Sequence, residues 1–462
     1  MRRNISGSFS AEGFYYGLLP PIVYAAGLNL QRRDFFRNFA SILLFAILGT
    51  FISAFSFALG TYGLVRLGAI DDSNLGKSAV MDCLLYGVLI SAIDPVATLS
   101  VFSDLGVPSL LHNLVLGESV VNDAIVIVLF RTMRLYYDKP LTAGTIPSML
   151  THFLKIALGS CGIGLATGLI CSYVLRTLEL GAMPISSAST LRPAKFDFDT
   201  SPFAISILVL SGYLAYLLAE SSGMSGIMAL FLTGIVHAHY AIKTITNEAQ
   251  SAVRQMFEAG SFLSETFVFA YLGMQVAING HQIDLGLILS SVPLMLLTRA
   301  INIFPLANLA NSFRRFPIPA NVQTMQFACG LRGAIAYALA LNLPSTHEGT
   351  IGNPAIETAT LFTVFFTTII FGGATGPLLS LLGLSGANAA SSQEGHLSGN
   401  PDEEARSAFA DGERDRERSK VHQVFRQVDN RFLKPIFGGE RIANEGIGEQ
   451  SEAAYVPLPD VR

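Results

Sequence analysis

Gly117-Glu118-Ser119-Val120-Val121-Asn122-Asp123-Ala124 places two carboxylates, a hydroxyl and an amide inside a mostly apolar run from Val107 to Phe130. A charged group at the centre of a bilayer costs about 2.5–3.5 kcal/mol on translocon-insertion scales. Two such charges in one helix therefore need partners, water or a transported ion. On a helix, Ser119 and Asp123 share one face, and Glu118 and Asn122 share the neighbouring face. Asp123 then has a hydroxyl one turn away and an amide beside it, oxygen ligands suited to a hard monovalent cation such as Na⁺ or K⁺. Glu118 fits better as one half of a static buried salt bridge.

The rest of the chain agrees with a membrane setting. Of 462 residues, 51% are hydrophobic and 14% charged, with a mean hydropathy of +0.47. An ordinary soluble domain is far less apolar and more heavily charged. The net charge of −4 gives no sign of a nucleic-acid partner. Cys83, Cys161, Cys171 and Cys329 lie in apolar segments without metal-ligand spacing and read as small packing residues. The start of the chain is too polar for a signal peptide.

About 20 apolar residues cross a hydrocarbon layer, and eleven such segments can be drawn: 13–30, 38–65, 80–103, 107–131, 150–177, 202–219, 223–240, 261–279, 284–309, 320–342 and 355–383. An all-α polytopic membrane domain is thus expected over residues 1–384, with a polar, largely disordered tail over 385–462. Alternate loops rich in Arg32, Arg33, Arg37, Arg176, Lys243, Arg254 and Arg314 place themselves and the tail in the cytoplasm by the positive-inside rule. Within the tail, Val421, Val424, Phe425, Val428 and Phe432 recur at helical spacing beside Lys420 and Arg431. That pattern suits a helix on the cytosolic leaflet, or one that binds a cytosolic partner through residues 420–435.

Two segments are interrupted. In the third, Asp94-Pro95 sits in mid-helix, and proline removes a backbone donor and clashes with the preceding turn. In the tenth, Gly330 and Gly333 flank an intramembrane arginine, Arg332. Irregular backbone at membrane depth is tolerated only when buried in protein or lining a wet cavity. A pair of such breaks points to a midplane ion site between inverted repeats. Arg299 in the ninth segment cannot lose its charge and needs a carboxylate or water.

These stretches together carry a resemblance. Leu19-Pro-Pro-Ile-Val-Tyr-Ala-Ala-Gly27, Ser-Ala-Ile-Asp94-Pro-Val-Ala-Thr98, the Gly117–Ala124 motif and Gly330-Leu-Arg332-Gly-Ala-Ile-Ala-Tyr337 resemble the eukaryotic sodium/proton exchangers, in order, from residue 14 to about 384. Ala-His239-Tyr240 and Asp429-Asn-Arg-Phe-Leu-Lys-Pro435 look most like the organellar, endosomal and Golgi branch. The resemblance implies a homodimer with the sodium/proton antiporter fold, in which a core domain with two crossed broken helices moves against a scaffold. It also implies roles. Asp123 takes the ion and the proton with Asn122 beside it; Asp94 and Thr98, on the first broken helix, join them at the ion site, and Arg332 belongs to the second; Glu118 and Arg299 form a core salt bridge. The eleven segments begin at what looks like the family's third helix, so the first two are expected to lack a counterpart.

The function expected is electroneutral, alternating-access exchange of Na⁺ or K⁺ for H⁺ across an endosomal or Golgi membrane, with the plasma membrane as the other location. With Asp94 and Glu118 assigned to Arg332 and Arg299, one negative charge is left for one proton or one cation. No cofactor is expected. The alternatives are a truncated, non-transporting regulatory subunit and an intramembrane aspartyl protease using Asp94 and Asp123. The protease reading lacks a Gly-x-Gly-Asp motif and leaves the intramembrane arginines unexplained. A nucleotide-driven pump is disfavoured by the missing phosphate-binding loop.

Overall fold

The computed structural model describes residues 13–30, 35, 38–71, 79–139, 142, 144–178, 201–277, 282–314, 317–344, 353–385 and 428–437. Among these residues all regular structure is helical. A π-helical turn, Phe14–Leu18, leads directly into α1 (Leu19–Asn29), with Pro20 and Pro21 just past the junction. Then follow α2 (Phe39–Arg66), α3 (Ala79–Ile90), α4 (Val96–Leu105), α5 (Ser109–Leu135), α6 (Thr145–Thr177), α7 (Ser201–Ser221) and α8 (Gly226–Thr244). The remaining elements are α9 (Asn247–Ala277), α10 (Leu285–Phe313), α11 (Ala320–Ala328), α12 (Ala334–Ala340), α13 (Pro354–Leu381) and, in the tail, α14 (Lys434–Phe437).

Seven described helices are long and apolar enough to cross a membrane: α2, α5, α6, α7, α8, α10 and α13. The chain is a multi-pass integral membrane protein. Each of the eleven expected segments coincides with a helix or with a pair of half-helices, and the two expected interruptions fall at residues 91–95 and 329–333. Several ends are closed by side chains. Asp284 accepts from Leu287 N at the start of α10, and Asn353 from Ile356 N at the start of α13.

The helices pack as two bundles. In one, α6 packs on α7 and α8, while α1 packs on α8 and α9. In the other, α2 packs on α3 and α10, α5 on α3, α12 on α3 and α13, and α11 on α10 and α5. Few elements meet across the seam, chiefly α5 with α6, and α9 with α12 and α13. Gly164 and Gly168 form the Gly-x-x-x-Gly pair of α6. They are used inside the chain: a side chain at Gly164 would collide with the Ala229 carbonyl, and one at Gly168 with Val236, both on α8.

The described part of the tail returns to the first bundle. Asp429 accepts a hydrogen bond from the Tyr240 hydroxyl (2.6 Å) and meets His239 Nε2 (3.1 Å) and Lys434 Nζ (3.4 Å). Arg176, at the end of α6, donates to the Lys434 carbonyl (3.1 Å). His237, on α8, is fully buried, with Nδ1 2.6 Å from the Tyr24 hydroxyl. Residues 420–427 of the expected partner-binding segment lie outside the described residues.

Candidate functional site

The site is built where the two interrupted helices meet. After Ser91, whose N–H still reaches the Gly87 carbonyl, residues 92–95 between α3 and α4 are not helical, and Pro95 has no N–H to continue the ladder. Their backbone groups would be costly to leave bare in this buried place, and α5 and the second interrupted helix satisfy them. Asn122 Oδ1 accepts from Ile93 N (3.0 Å), and Asn122 Nδ2 donates to the Ser91 carbonyl (3.2 Å) and to Thr50 Oγ1 (2.5 Å). Ser119 Oγ donates to the Ile93 carbonyl (2.8 Å). Arg332 Nη1 donates to the Ala92 carbonyl (3.0 Å), and Asp94 N donates to the Leu331 carbonyl (3.0 Å).

Asn122 and Ser119 were expected beside the ion. In this arrangement they hold the unwound strand of the first broken helix. Thr98, also expected near the ion, is fully buried and donates to the Pro95 carbonyl (2.8 Å), closing the first turn of α4. Arg332 was expected to pair with Asp94. Its guanidinium instead meets a carbonyl just past the C-terminal end of α3, where the partial negative charge of a half-helix favours a cation. Its backbone N–H donates to Thr367 Oγ1 (3.2 Å).

Glu118 and Arg299 form a buried ion pair, Nη1 to Oε1 at 2.5 Å, with side-chain exposures of 2% and 3%. A pair this deep needs its remaining lone pairs and protons satisfied to offset desolvation. Gln326 on α11 does much of that. Its side chain donates to Glu118 Oε2 (2.8 Å), and its backbone carbonyl accepts from Arg299 Nη2 (2.9 Å). The three residues clamp α5, α10 and α11 together.

Asp123 stands apart. Its carboxyl is half-buried and makes no hydrogen bond or ion pair among the described residues. Asp94 lies within electrostatic reach of it, and Glu265 on α9, across the seam, lies within electrostatic reach of Asp94. Ser261 Oγ donates to Glu265 Oε1 (2.8 Å). Gly333 is where the second broken helix comes closest, for a side chain there would collide with the Asp94 carboxyl. Gly330 likewise faces Arg299 Nε, 2.8 Å from where a Cβ would stand.

Thr50, Gln326 and Glu265 were given no role from the sequence. Thr50 and Gln326 are isolated polar residues in spanning helices, a weak signal that becomes meaningful only once their partners are known. Among the described residues no cluster of His, Cys, Asp and Glu has the make-up of a metal-binding group.

The site thus consists of two broken helices joined at their breaks, clamped onto a carboxylate-bearing helix and packed against a second bundle. The structure of the sodium proton antiporter MjNhaP1 from Methanocaldococcus jannaschii at pH 8 superposes with a TM-score of 0.55 at 18% identity, covering 81% of this chain and 87% of that one. A family model described as "Sodium/hydrogen exchanger, transmembrane" matches residues 4–381. The chain belongs to the sodium/hydrogen exchanger family. It is 37% identical to sodium/hydrogen exchanger 8 of Rattus norvegicus over 82% of its own length and 63% of the relative's. It is 34% identical to sodium/hydrogen exchanger 5 of Arabidopsis thaliana, covering 96% of this chain and 84% of that protein. With sodium/hydrogen exchanger 9 of Homo sapiens the identity is 33%, over 93% of this chain and 64% of the relative.

Proposed function

We propose that this chain is a secondary antiporter that exchanges a monovalent cation, Na⁺ or K⁺, for H⁺ at Asp123. The observation that carries the reading is the contrast between the carboxylates of the site. Glu118 is bound by Arg299 and Gln326, whereas the Asp123 carboxyl has no hydrogen-bond or ion-pair partner among the described residues. A bare carboxylate at membrane depth is costly. A proton or a cation removes that cost, and either excludes the other. The relatives' name, sodium/hydrogen exchanger, supports Na⁺ and H⁺ as substrates.

The charge account follows. Asp94, Glu118 and Asp123 bring three negative charges to the second bundle's site, and Arg299 and Arg332 bring two positive ones. One proton or one monovalent cation neutralises the remainder, so the exchange is one-for-one and electroneutral. The bundle carrying α3, α4, α5, α11 and α12 moves when loaded, against the bundle of α1 and α6–α9, and Glu265 stays with the latter. The roles of Asn122, Ser119, Thr98, Pro95 and Gly330 are to hold the interrupted helices in shape around Asp123. We further propose a homodimer in an endosomal or Golgi membrane, with the tail on the cytosolic side.

The test is dissipation of a pH gradient by Na⁺ or K⁺ in vesicles that carry this chain. Cation-dependent proton flux that disappears in Asp123→Asn is the expected result. Flux retained by that variant would move the site elsewhere. A membrane-potential-driven cycle in reversal-potential measurements would defeat electroneutrality.

A further inference from the structure

Among the described residues, α5 makes two arginine–carboxylate contacts that differ in kind. Glu118–Arg299 lies within the second bundle and is almost fully buried. The other is made by Arg131, eight residues beyond Asp123 and so about 12 Å further along the helix. Its Nη2 donates to both Glu220 oxygens, at 2.8 and 3.0 Å, and its Nη1 donates to the Met224 carbonyl at 3.0 Å. Glu220 ends α7 and Met224 lies in the turn before α8, so this contact crosses the seam between the bundles.

Burial separates the two further. The side chains of Arg131 and Glu220 are 32% and 17% exposed, against 3% and 2% for Arg299 and Glu118. A deeply buried pair cannot open without leaving bare charges behind. A partly solvated pair is replaced by water at little cost, which suits a contact that opens and closes. The acceptor is also held ready: Glu220 Oε1 takes the Gly226 N–H (2.9 Å) at the start of α8. Beside the pair is a half-open cavity of about 190 Å³, lined by Arg131, Glu220, Arg134, Tyr16, Tyr216 and Ile127 among others. All of this lies at the end of the bundles opposite His239 and Arg176, where the tail docks.

We propose that Arg131 and Glu220 are an ionic latch that holds the pathway to Asp123 shut at the membrane face away from the tail. The inference rests on the antiport reading, because a latch across the seam has a task only if one bundle moves against the other. Arg131 and Glu220 are positioning residues and do not touch the ion. When the latch opens, α5 parts from α7 and the cavity beside Ile127 connects to Asp123. Removing the latch enlarges the fraction of molecules open to that face. Apparent affinity scales with that fraction, so the KM for cation offered there falls while the KM at the tail face rises.

The experiment uses the full chain in vesicles, with Ile127→Cys added as a reporter and the same chain without it as background. A membrane-impermeant thiol reagent is applied at the face away from the tail. Labelling several-fold faster in Arg131→Gln and in Glu220→Gln, and returned toward the starting rate in Arg131→Lys, is the expected result. Equal labelling in both glutamine variants overturns the latch. As a second arm, Arg131→Cys with Glu220→Cys is bridged by a short bis-maleimide; arrested labelling at Ile127→Cys is expected, and undiminished labelling overturns the proposal. Proton flux in the same vesicles judges the antiport reading separately: absence of cation-driven flux in the unaltered chain overturns that reading whatever the labelling shows. With flux present, a several-fold fall in the KM at the face away from the tail in Arg131→Gln supports the latch, and an unchanged KM at both faces overturns it.

Discussion

Asp94 donates its backbone N–H to the Leu331 carbonyl at 3.0 Å, so the two interrupted helices are joined by a hydrogen bond at their breaks. Next to this bond, Gly333 leaves just enough room for the Asp94 carboxyl. The two breaks are one object. Neither can shift without moving the other: Asn122 and Ser119 tie the first break to α5, and Arg332 ties the second break to the first.

Gly333→Ala should therefore disable the proposed exchange without unfolding the protein. The added methyl collides with the Asp94 carboxyl and forces either the carboxyl or the crossing to move. Overpacking of this kind costs about 1–3 kcal/mol, which the domain can survive but a site of fixed geometry cannot. Cation-dependent proton flux near background with an unchanged elution profile is expected. Wild-type flux would mean that the crossing is looser than its contacts imply.

Removing one side of the Glu118–Arg299 pair should act on stability first. Arg299→Gln leaves a buried carboxylate that retains Gln326 alone, and breaking such a pair costs about 3–5 kcal/mol. A lowered midpoint in thermal unfolding from detergent is expected, with a smaller loss when Glu118→Gln is combined with it. A midpoint equal to the parent's in Arg299→Gln would show that the pair is not needed to hold α5, α10 and α11 together.

Asn122→Ala should be more damaging than the loss of one ion ligand. Asn122 satisfies one amide and one carbonyl of the 91–95 stretch and binds Thr50. Unpaired buried groups cost about 1–3 kcal/mol each, so the unwound segment should loosen. Hydrogen exchange over residues 91–95 should rise together with the loss of flux. Lost flux with unchanged exchange would favour direct ligation of the ion.

The docked tail segment gives a pH prediction. Burial alone raises the pKa of the Asp429 carboxyl, but hydrogen bonds from His239 and Tyr240 and the charges of His239 and Lys434 outweigh it and hold the carboxyl below the usual carboxylate range. A depressed carboxyl contributes stability above its unfolded pKa, near 3.9, and loses it as pH falls through the folded value. The Asp429 contribution to docking should hold through neutral and mildly acidic pH and fail only below the ordinary carboxylate range. Asp429→Asn should speed amide exchange over residues 428–437 at neutral pH. Equal exchange rates in variant and parent would count against the contact.

Much of this was legible in the sequence. Long apolar runs must become helices in a lipid setting, because the backbone has no other partner there. A proline in mid-span must break its helix, and a carboxylate at that depth must have a reason. The eleven segments, the breaks at Asp94-Pro95 and around Arg332, and the prominence of Asp123 all follow from those one-body costs.

Partnership was decided only in three dimensions. Sequence arithmetic paired Arg332 with Asp94; the fold turns Arg332 to the Ala92 carbonyl at the end of a half-helix. Asn122 and Ser119, read as ion ligands, are occupied with the unwound strand, and Gln326 and Thr50 complete clamps that no local pattern announces. Arg131 and Glu220 are 89 residues apart and look like ordinary charges at helix ends until the bundles are assembled. The cost of putting a polar group in the membrane depends on the residue and its depth, which a sequence displays; the partner that removes the cost depends on which helix faces which, and only the packed structure settles that.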